Sequence, residues 1–502
     1  MSSGAPPATR RTVSSPAFWL GAAALGLIAL CHLPSTGFGF LDWDDPIHVT
    51  RNPAVLASGA VSLRDRLTTP ALGYPIPVSI ASYSLEATLL GAAPWHFHLV
   101  NVLLHVCSCG LLLLLALRLR LEPLGACCAV LLFGLHPVVA EPVSWVTGRK
   151  DVLATCFGLA MLCLASRPPS LRNRALALLC YALGLLSKPT IAPLCLLVPW
   201  LEPAEARGPR ALLRRLAPYL IVLAPVAALG VIGQQAAGAI GGSEHAGAGF
   251  VRGAWFAFGM HVRLILGLEE PTAKYLPLPW PPPFTPRVDL LPLAAAGLAA
   301  LGLRLVAPAQ RKAASFGLAW ALATYLPNSN LIPLVRYVAD SYVYLPLIGC
   351  ALYAGALCDA LSARSPRLLP LLRVALPAAV LLACVPSFVR SQARFSDDRA
   401  LWAHALRRYP SNPRLCRQWA NGVTKRDGPS QGLAATDLCV KRFGDELFAK
   451  NKGVLLGMLG RFDEARTWLE RAQQRNPADL GVRSALANLA LIAPPPRREA
   501  QE

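Results

Sequence analysis

The hydrophobic positions of this chain form long runs that are separated by short polar or charged segments. A helix needs about 20 apolar residues to cross the hydrocarbon core of a bilayer. Runs near this length predict about eleven membrane-spanning helices, of which the short pair 174–187 and 189–200 could be re-entrant. Two more apolar stretches, 76–91 and 253–268, are predicted to lie along the membrane in external loops. The predicted spans fall near 17–33, 97–117, 122–137, 151–166, 174–187, 189–200, 215–233, 288–306, 313–327, 338–358 and 369–388.

The composition indicates an all-α, polytopic membrane protein. Of the 502 residues, 54% are hydrophobic and 15% are charged, which excludes an ordinary soluble globular protein. The formal net charge is +20, but the basic residues form short clusters between apolar runs rather than one patch. Such clusters are topology signals, so no nucleic-acid partner is predicted. The first apolar run is interpreted as an uncleaved membrane helix, because no small-residue cleavage site follows it.

The loop charges predict an orientation. With the N-terminus in the cytoplasm, short loops on that side carry most of the arginines, and the longer loops opposite carry most of the acids. This asymmetry follows the positive-inside rule, and an odd number of spans then puts the C-terminus outside. Abundant Arg, Ala, Pro and Gly indicate a GC-rich bacterial genome. We therefore expect an inner membrane with a periplasmic C-terminal domain, or an endoplasmic reticulum membrane in a eukaryote.

From about residue 390 the composition becomes that of a soluble helical domain. Eight residues match one tetratricopeptide repeat at its period of about 34 residues. They are Gly453, Leu456, Gly460, Phe462, Ala465, Leu469, Ala472 and Pro477. We predict a transmembrane domain at 1–389, a tetratricopeptide-like domain at 390–492 that binds a protein partner, and a disordered tail at 493–502. A generic amphipathic hairpin is the alternative to the repeat.

Only two of the 14 cysteines, Cys416 and Cys439, fall in this polar C-terminal part. The others lie within or beside apolar segments, where cysteine acts as a small buried hydrophobe. Because the predicted orientation places the C-terminal domain in an oxidising compartment, we expect Cys416 and Cys439 to form a disulfide.

Three carboxylates flank an indole after the first apolar run, in Leu41-Asp42-Trp43-Asp44-Asp45. Like charges this close repel and raise one another's pKa, which prepares a carboxylate for proton transfer. The alternative is a simple turn, since Asp before Pro commonly starts one. The residues alone leave both interpretations open.

A polar stripe marks an otherwise apolar helix, because His98, Asn101 and His105 recur at spacings of three and four. In hydrocarbon such a stripe must face a cavity or a partner helix. Hydrogen bonding between helices explains it at least as well as chemistry does. A metal site is not predicted, since no nearby carboxylate or Cys completes a ligand set.

Cations stand at three further places on the predicted outer side. Arg149 and Lys150 begin a span, and a helix N-terminus with two cations suits a phosphate. Pairing with Glu141 and Asp151, or topological anchoring, explains them equally well.

Lys188 lies between two short apolar segments, in Ser187-Lys188-Pro189, which places a charge in a cavity unless its side chain snorkels. Arg336 precedes Tyr342 at another outer junction, and arginine grips a phosphate with two prongs. The tyrosines alone indicate only an interface.

These stretches together resemble the transmembrane and tetratricopeptide repeat-containing O-mannosyltransferase-like proteins, which belong to the GT-C glycosyltransferases. The stretches occur in the same order over nearly the whole chain. They are Trp43-Asp44-Asp45, Phe97-His98-Leu99-Val100-Asn101 through His105, His136-Pro137 through Glu141, Trp145, Arg149-Lys150-Asp151, Ser187-Lys188, Tyr342-Val343-Tyr344-Leu345-Pro346 and the C-terminal repeat.

The resemblance implies a GT-C-like core and an inverting transfer of mannose or another hexose from a polyprenyl-phosphate donor. The acceptor would be a hydroxyl of a protein or glycan on the external side. No metal or other cofactor is predicted, although a need for a divalent cation stays open. The alternatives are a non-enzymatic membrane scaffold that uses its repeat domain, and a lipid-linked sugar transporter or polymerase.

The resemblance also implies roles for single residues. Asp44 or Asp45 would be the general base. The donor phosphate, whose negative charge grows in the transition state, would be held by Arg149, Lys150, Lys188 and Arg336. The sugar and acceptor pocket would be shaped by Asp42, Trp43, His98, Asn101, His105, Glu141 and Tyr342. This chain departs from the family in two ways: Ser341 stands where many relatives carry Arg, and the repeat domain is short.

Overall fold

The computed structural model describes residues 16–56, 76–201, 208–236, 248–275, 282–331, 334 and 336–492. Helices make up the regular structure of these residues, and no strand occurs among them. The predicted all-α fold is therefore confirmed. The tail at 493–502, predicted to be disordered, lies outside the described residues.

The chain divides into two compact units, which are described separately. The first comprises Met1–Pro271 and Pro277–Gln392, and the second comprises Thr272–Leu276 and Ala393–Glu502. The longer helices of the first unit are α1 (Pro16–His32), α2 (Pro77–Leu90), α3 (Pro94–Arg118), α4 (Pro123–Leu135), α5 (Arg149–Ala165), α6 (Leu171–Ser187), α7 (Pro209–Ala236), α8 (Ala248–Ile265), α9 (Leu291–Leu305), α10 (Pro308–Tyr325), α11 (Tyr344–Arg364) and α12 (Leu369–Ala393).

Shorter helical segments, most of them single turns, join these helices. They are Leu33–Gly37, Pro46–Thr50, Pro53–Leu56, Pro137–Val139, Ala140–Ser144, Val146–Gly148, Pro189–Leu201, Pro286–Asp289, Leu326–Asn328, Asp340–Tyr342 and Pro366–Leu368. Proline explains one of the irregularities, since it lacks the N–H that an α-helix needs. Pro193 and Pro199 lie inside Pro189–Leu201, which winds as a tighter 3-10 helix.

Within the described residues, six helices are long and apolar enough to cross a membrane. A seventh span results if the pair Pro123–Leu135 and Pro137–Ser144, bent by 48°, is counted as one. The chain is a multi-pass membrane protein, as predicted. Every stretch predicted to span overlaps a helix, but several of these helices are short, such as α5 with 17 residues. The number of about eleven spans stays a prediction.

Small residues allow the helices of this unit to approach closely. Gly317 of α10 and Gly349 of α11 face each other so tightly that a methyl group on either would meet the other's backbone carbonyl. Gly125 of α4 and Gly355 of α11 meet in the same way. Close approach through small residues is the usual way in which membrane helices pack. The helix α11 therefore packs closely on both α10 and α4.

The second unit is a series of helices in which each one packs on the next along the chain. The helices are α13 (Asp398–Arg408), α14 (Pro413–Asp427), α15 (Pro429–Phe443), α16 (Ala449–Met458), α17 (Phe462–Arg475) and α18 (Leu480–Ile492). Gly453 lets α16 approach Leu469 of α17. The assignment as a tetratricopeptide repeat, and the boundary at residue 390, stay predictions.

A disulfide joins Cys416 of α14 to Cys439 of α15, with 5.9 Å between their Cα atoms. The predicted pairing is therefore confirmed. Both cysteines belong to the buried cluster that also contains Ala420, Val423 and Phe448. The bond links two helices that already share a core.

Candidate active site

Asp45 is fully buried at the start of the turn Pro46–Thr50. Its Oδ2 accepts a hydrogen bond from the Leu41 N–H at 2.8 Å. Its Oδ1 accepts two more from Thr147, from the backbone N–H at 3.1 Å and from the hydroxyl at 2.5 Å. Burial raises the pKa of Asp45 to about 6, although these hydrogen bonds oppose the rise. Both carboxylate oxygens of Asp45 thus accept hydrogen bonds from other residues of the protein.

Asp44 has a different environment, although it is the preceding residue. It is half-buried. Burial raises the pKa of the Asp44 carboxyl, while the charges of Lys150 and Arg336 lower it and that of Glu141 raises it. The backbone of Asp44 is fixed, because its carbonyl accepts hydrogen bonds from the N–H groups of Ile47 and His48, each at 3.1 Å. Of the two aspartates, Asp44 is the one that a substrate can reach.

Two stacked indoles connect this loop to the turn before α5. The ring centroids of Trp43 and Trp145 are 4.5 Å apart, and their planes differ by 15°. The guanidinium of Arg336 lies 4.9 Å from the Trp43 centroid, and Lys150 Nζ lies 5.3 Å from that of Trp145. At these distances a cation is attracted to the face of the ring. Each ring therefore holds one of the two cations near Asp44.

Arg336 forms a two-pronged ion pair with the fully buried Glu141. The Nη1–Oε1 distance is 2.9 Å and the Nη2–Oε2 distance is 3.3 Å. Ser341 donates a further hydrogen bond to Glu141 Oε1 at 2.9 Å. Burial lowers the pKa of Arg336, but Glu141 outweighs this effect and leaves the pKa raised. The Arg336 side chain is 26% exposed, although both of its Nη atoms bond to Glu141.

Lys150 and Lys188 lie side by side near Asp151. Lys188 Nζ donates to Asp151 Oδ1 at 2.6 Å. The charge of Lys150 interacts with Lys188 and with the carboxylates of Asp44, Asp151 and Glu141. The structure thus brings together three of the four predicted phosphate-binding cations: Lys150, Lys188 and Arg336.

Arg149 is placed elsewhere, fully buried between α2 and α3. Its Nη1 donates to Glu86 Oε2 at 2.7 Å, its Nη2 to the Phe97 carbonyl at 2.8 Å and its Nε to Asn101 Oδ1 at 2.5 Å. The guanidinium also lies over the ring of Tyr83. This placement differs from the predicted phosphate contact, because every guanidinium nitrogen has a protein partner. In this conformation Arg149 ties helices together.

The polar stripe of α3 is bonded to other parts of the protein. Asn101 Nδ2 donates to the carbonyls of Trp145 at 3.0 Å and Val146 at 3.3 Å. His105 Nδ1 lies 2.8 Å from the Tyr344 hydroxyl, and His98 Nε2 lies 3.4 Å from the Gly39 carbonyl. The structure therefore favours hydrogen bonding between elements over direct chemistry for this stripe.

Two more predicted pocket residues lie at the edges of the site. Asp42 is exposed. Tyr342 is half-buried, with its ring centroid 6.0 Å from that of His261. Thr147 and His261 are not among the site residues that the sequence predicts. Neither lies in a pattern of charge or spacing, so no local signal could have identified them. Within the described residues, no three His, Cys, Asp or Glu side chains are grouped to hold a metal ion.

An apolar cavity of about 600 Å³ lies in the same unit. Its lining includes Trp200, Trp255, Ala323 and Tyr325. The Tyr325 hydroxyl lies 3.0 Å from Nδ1 of His261. Burial lowers the pKa of His261, and the charge of Arg336 lowers it further. His261 therefore contacts the cavity lining through Tyr325 and lies within electrostatic range of Arg336.

The fold and the site define a class of protein: a multi-pass helical membrane protein with a carboxylate set between two cations. No protein-family model matches the chain. In sequence, it is similar to the protein O-mannosyl-transferase tmtc2 of Xenopus laevis, with 36% identity over 107 residues, which are 21% of this chain and 13% of the relative. It is also similar to Tmtc1 of Drosophila melanogaster, another protein O-mannosyl-transferase, with 30% identity over 153 residues, which are 28% of this chain and 17% of the relative. The resemblance predicted from the motifs is confirmed, and the chain matches less than a fifth of the length of these relatives.

Two solved structures are similar over most of the chain. ArnT of Cupriavidus metallidurans, bound to undecaprenyl phosphate, has a TM-score of 0.43 at 17% identity and covers 88% of this chain and 80% of its own. The oligosaccharyltransferase of Archaeoglobus fulgidus, tethered with an acceptor peptide, has a TM-score of 0.39 at 14% identity and covers 84% of this chain and 59% of its own.

Proposed function

We propose that this protein is a membrane glycosyltransferase that moves a hexose, such as mannose, from a polyprenyl phosphate to an acceptor hydroxyl. The observation that carries the proposal is the half-buried Asp44 carboxyl beside Lys150 and Arg336. A base next to cations is what an attack by a hydroxyl on a phosphate-linked sugar requires. The sequence similarity to protein O-mannosyl-transferases supports the same chemistry.

Asp44 acts as the general base. As the acceptor oxygen attacks the anomeric carbon, its proton passes to the Asp44 carboxylate, and the bond from that carbon to the phosphate oxygen breaks. The electron pair of that bond leaves with the phosphate, and attack from the opposite face inverts the anomeric centre. Burial raises the pKa of Asp44, which makes its carboxylate a stronger base near neutral pH.

Lys150 and Arg336 stabilise the departing polyprenyl phosphate, with Lys188 behind Lys150. Charge builds up on the phosphate oxygens in the transition state, so fixed cations lower the barrier. Glu141 and Trp43 hold the Arg336 guanidinium in place. Ser341 contributes to the same arrangement through Glu141. Arg336 thus takes the part of the arginine that many relatives carry at position 341.

The donor has an apolar tail, and the cavity lined by Trp200, Trp255, Ala323 and Tyr325 is suited to hold it. Its lining is almost wholly apolar, so a hydrocarbon chain from the bilayer can enter it without burying polar groups against its tail. Tyr325 of the cavity lining contacts His261, which lies within electrostatic range of the Arg336 cation. An amphiphilic donor would place its phosphate at the cations and its tail in the cavity.

The acceptor, the orientation and the partner of the second unit belong to the same proposal. We place the site on the non-cytoplasmic side of a bacterial inner membrane, or of the endoplasmic reticulum in a eukaryote. A hydroxyl of a protein or glycan is the acceptor. The helices of the second unit bind a protein partner.

The test is to incubate the purified full-length protein in detergent with a panel of polyprenyl-phosphate sugars, with and without acceptor peptides and glycans. One sugar should be consumed, and free polyprenyl phosphate should appear as the product. Donor that moves across a proteoliposome without being consumed would instead identify a transporter. A protein that neither consumes nor moves any donor in the panel would favour the scaffold.

A further inference from the structure

The two residues that flank Asp44 are both fixed to one turn, which lies just before α5. On one side, Trp43 stacks on Trp145, with 4.5 Å between ring centroids. On the other side, the Asp45 carboxylate accepts hydrogen bonds from the N–H and the hydroxyl of Thr147 at 3.1 and 2.5 Å. The loop is therefore attached at positions 43 and 45, and the residue between them has little freedom.

The contact with Thr147 is closed to water. Asp45 and Thr147 are both 0% exposed, so their hydrogen bonds do not compete with solvent. The third bond to Asp45, from the Leu41 N–H at 2.8 Å, comes from the loop itself. Thr147 is therefore the partner that joins the Asp45 carboxylate to another element of the bundle.

The same turn also carries one of the cations. Lys150 lies three residues after Thr147, at the start of α5, and its Nζ lies 5.3 Å from the Trp145 ring centroid. Docking the loop on this turn therefore determines how far the Asp44 carboxyl is from the Lys150 ammonium. Arg336 joins the arrangement from its position over Trp43.

We propose that Thr147 is a positioning residue, which acts through Asp45 to hold Asp44 at a fixed distance from Lys150 and Arg336. Asp45 is then the anchor of the loop, and Asp44 alone takes the proton. This inference rests on the proposed function, in which Asp44 is the base. It adds to that function a residue that touches neither the sugar nor the phosphate.

Loss of the Thr147 hydroxyl should affect the chemical step. Proton transfer depends on alignment, and a displacement of about 1 Å can lower a rate by about 100-fold. The charged groups that face Asp44 are Lys150, Arg336, Glu141 and Asp45. If the loop moves away from the two cations, the pKa of Asp44 rises. Since the base works only when it is deprotonated, the acid limb of the activity profile then moves to higher pH.

The experiment compares Thr147→Val, which keeps the shape but removes the hydroxyl, with Thr147→Ser, which keeps the hydroxyl. In the full-length protein, with the donor that the wild type consumes, Thr147→Val should lower kcat by about 10- to 100-fold and leave the donor KM within about 2-fold. Its acid limb should shift to higher pH. Thr147→Ser should restore most of kcat and the wild-type acid limb.

A wild-type kcat in Thr147→Val would overturn the proposal. Equal losses in Val and Ser with an unmoved acid limb would also overturn it, because they would indicate a packing role. If Thr147→Val does not fold, Asp45→Asn is tested in its place. This variant replaces one acceptor oxygen by an amide, and it should give the same partial loss of kcat and the same shift of the acid limb. Wild-type kinetics in Asp45→Asn would then refute the anchor.

Asp44→Asn separates this inference from the proposed function. If Asp44→Asn is inactive while Thr147→Val keeps full activity, only the positioning role fails. If Asp44→Asn keeps full activity, the proposed base is wrong and the positioning role fails with it.

Discussion

Two neighbouring aspartates show how strongly the environment determines the chemistry of a residue. Asp45 is fully buried and accepts three hydrogen bonds, whereas Asp44 is half-buried beside two cations. The sequence identified both as candidates for the base but did not distinguish them. The difference arises from Thr147, which is 102 residues away in the chain. No local pattern encodes such a contact.

The two cations that begin α5 differ in the same way. Lys150 faces Asp44, while Arg149 points into the bundle and bonds to Glu86 and Asn101. In sequence they are adjacent and equally suited to a phosphate. The direction of each side chain depends on the helix packing, so only the structure separates the cation near Asp44 from the one that bonds to neighbouring helices.

At this scale we predict that Arg149→Met lowers the free energy of unfolding by about 3–5 kcal/mol, because Glu86 would keep a buried charge without its cation. Chemical denaturation in detergent measures the effect. The double variant Arg149→Met/Glu86→Gln, which removes both charges, should recover part of the lost stability. A variant with wild-type stability and a raised donor KM would contradict the structural role and restore the predicted phosphate contact.

At the scale of helices and turns, the hydropathy pattern predicted the positions of the helices well. Each apolar stretch overlaps a helix. A helix in lipid needs apolar side chains, so its position can be predicted from residue types alone. The irregular parts were predicted less well. Residues 189–201 wind as a 3-10 helix, and the site is built from turns such as Val146–Gly148. Turns of three residues carry no periodicity, so the pattern does not reveal them.

At this scale we predict that the apolar cavity binds the hydrocarbon tail of the donor. Ala323→Phe should fill part of the cavity and lower kcat/KM for a long-chain polyprenyl-phosphate donor by about 10-fold, since overpacking costs about 1–3 kcal/mol. A short-chain analogue of the same donor should be used as well as before. Leu293→Phe, which changes an exposed apolar residue of α9, is the control and should leave both rates unchanged. Equal losses for long and short donors would contradict a tail site.

At the scale of the whole molecule, the sequence predicted a polytopic helical protein with a polar helical C-terminal part, and the structure has both. These features follow from composition and from the length of apolar runs, and both can be read from the order of residues in the chain. The site is different, because it joins residues 43–45, 141–151 and 336–341. Contacts between such distant segments are set by packing, which explains why the candidate residues could be named but not arranged.

The measurement that tests the central claim most directly is the release of free polyprenyl phosphate by Asp44→Asn and by the wild type, with the preferred donor and acceptor. General base catalysis contributes about 10²- to 10⁴-fold, so kcat should fall by at least about 100-fold while the protein remains folded and binds donor. Asp463→Asn, at an exposed position of α17, is the matched control and should keep the wild-type rate. Wild-type release by folded Asp44→Asn would contradict the account.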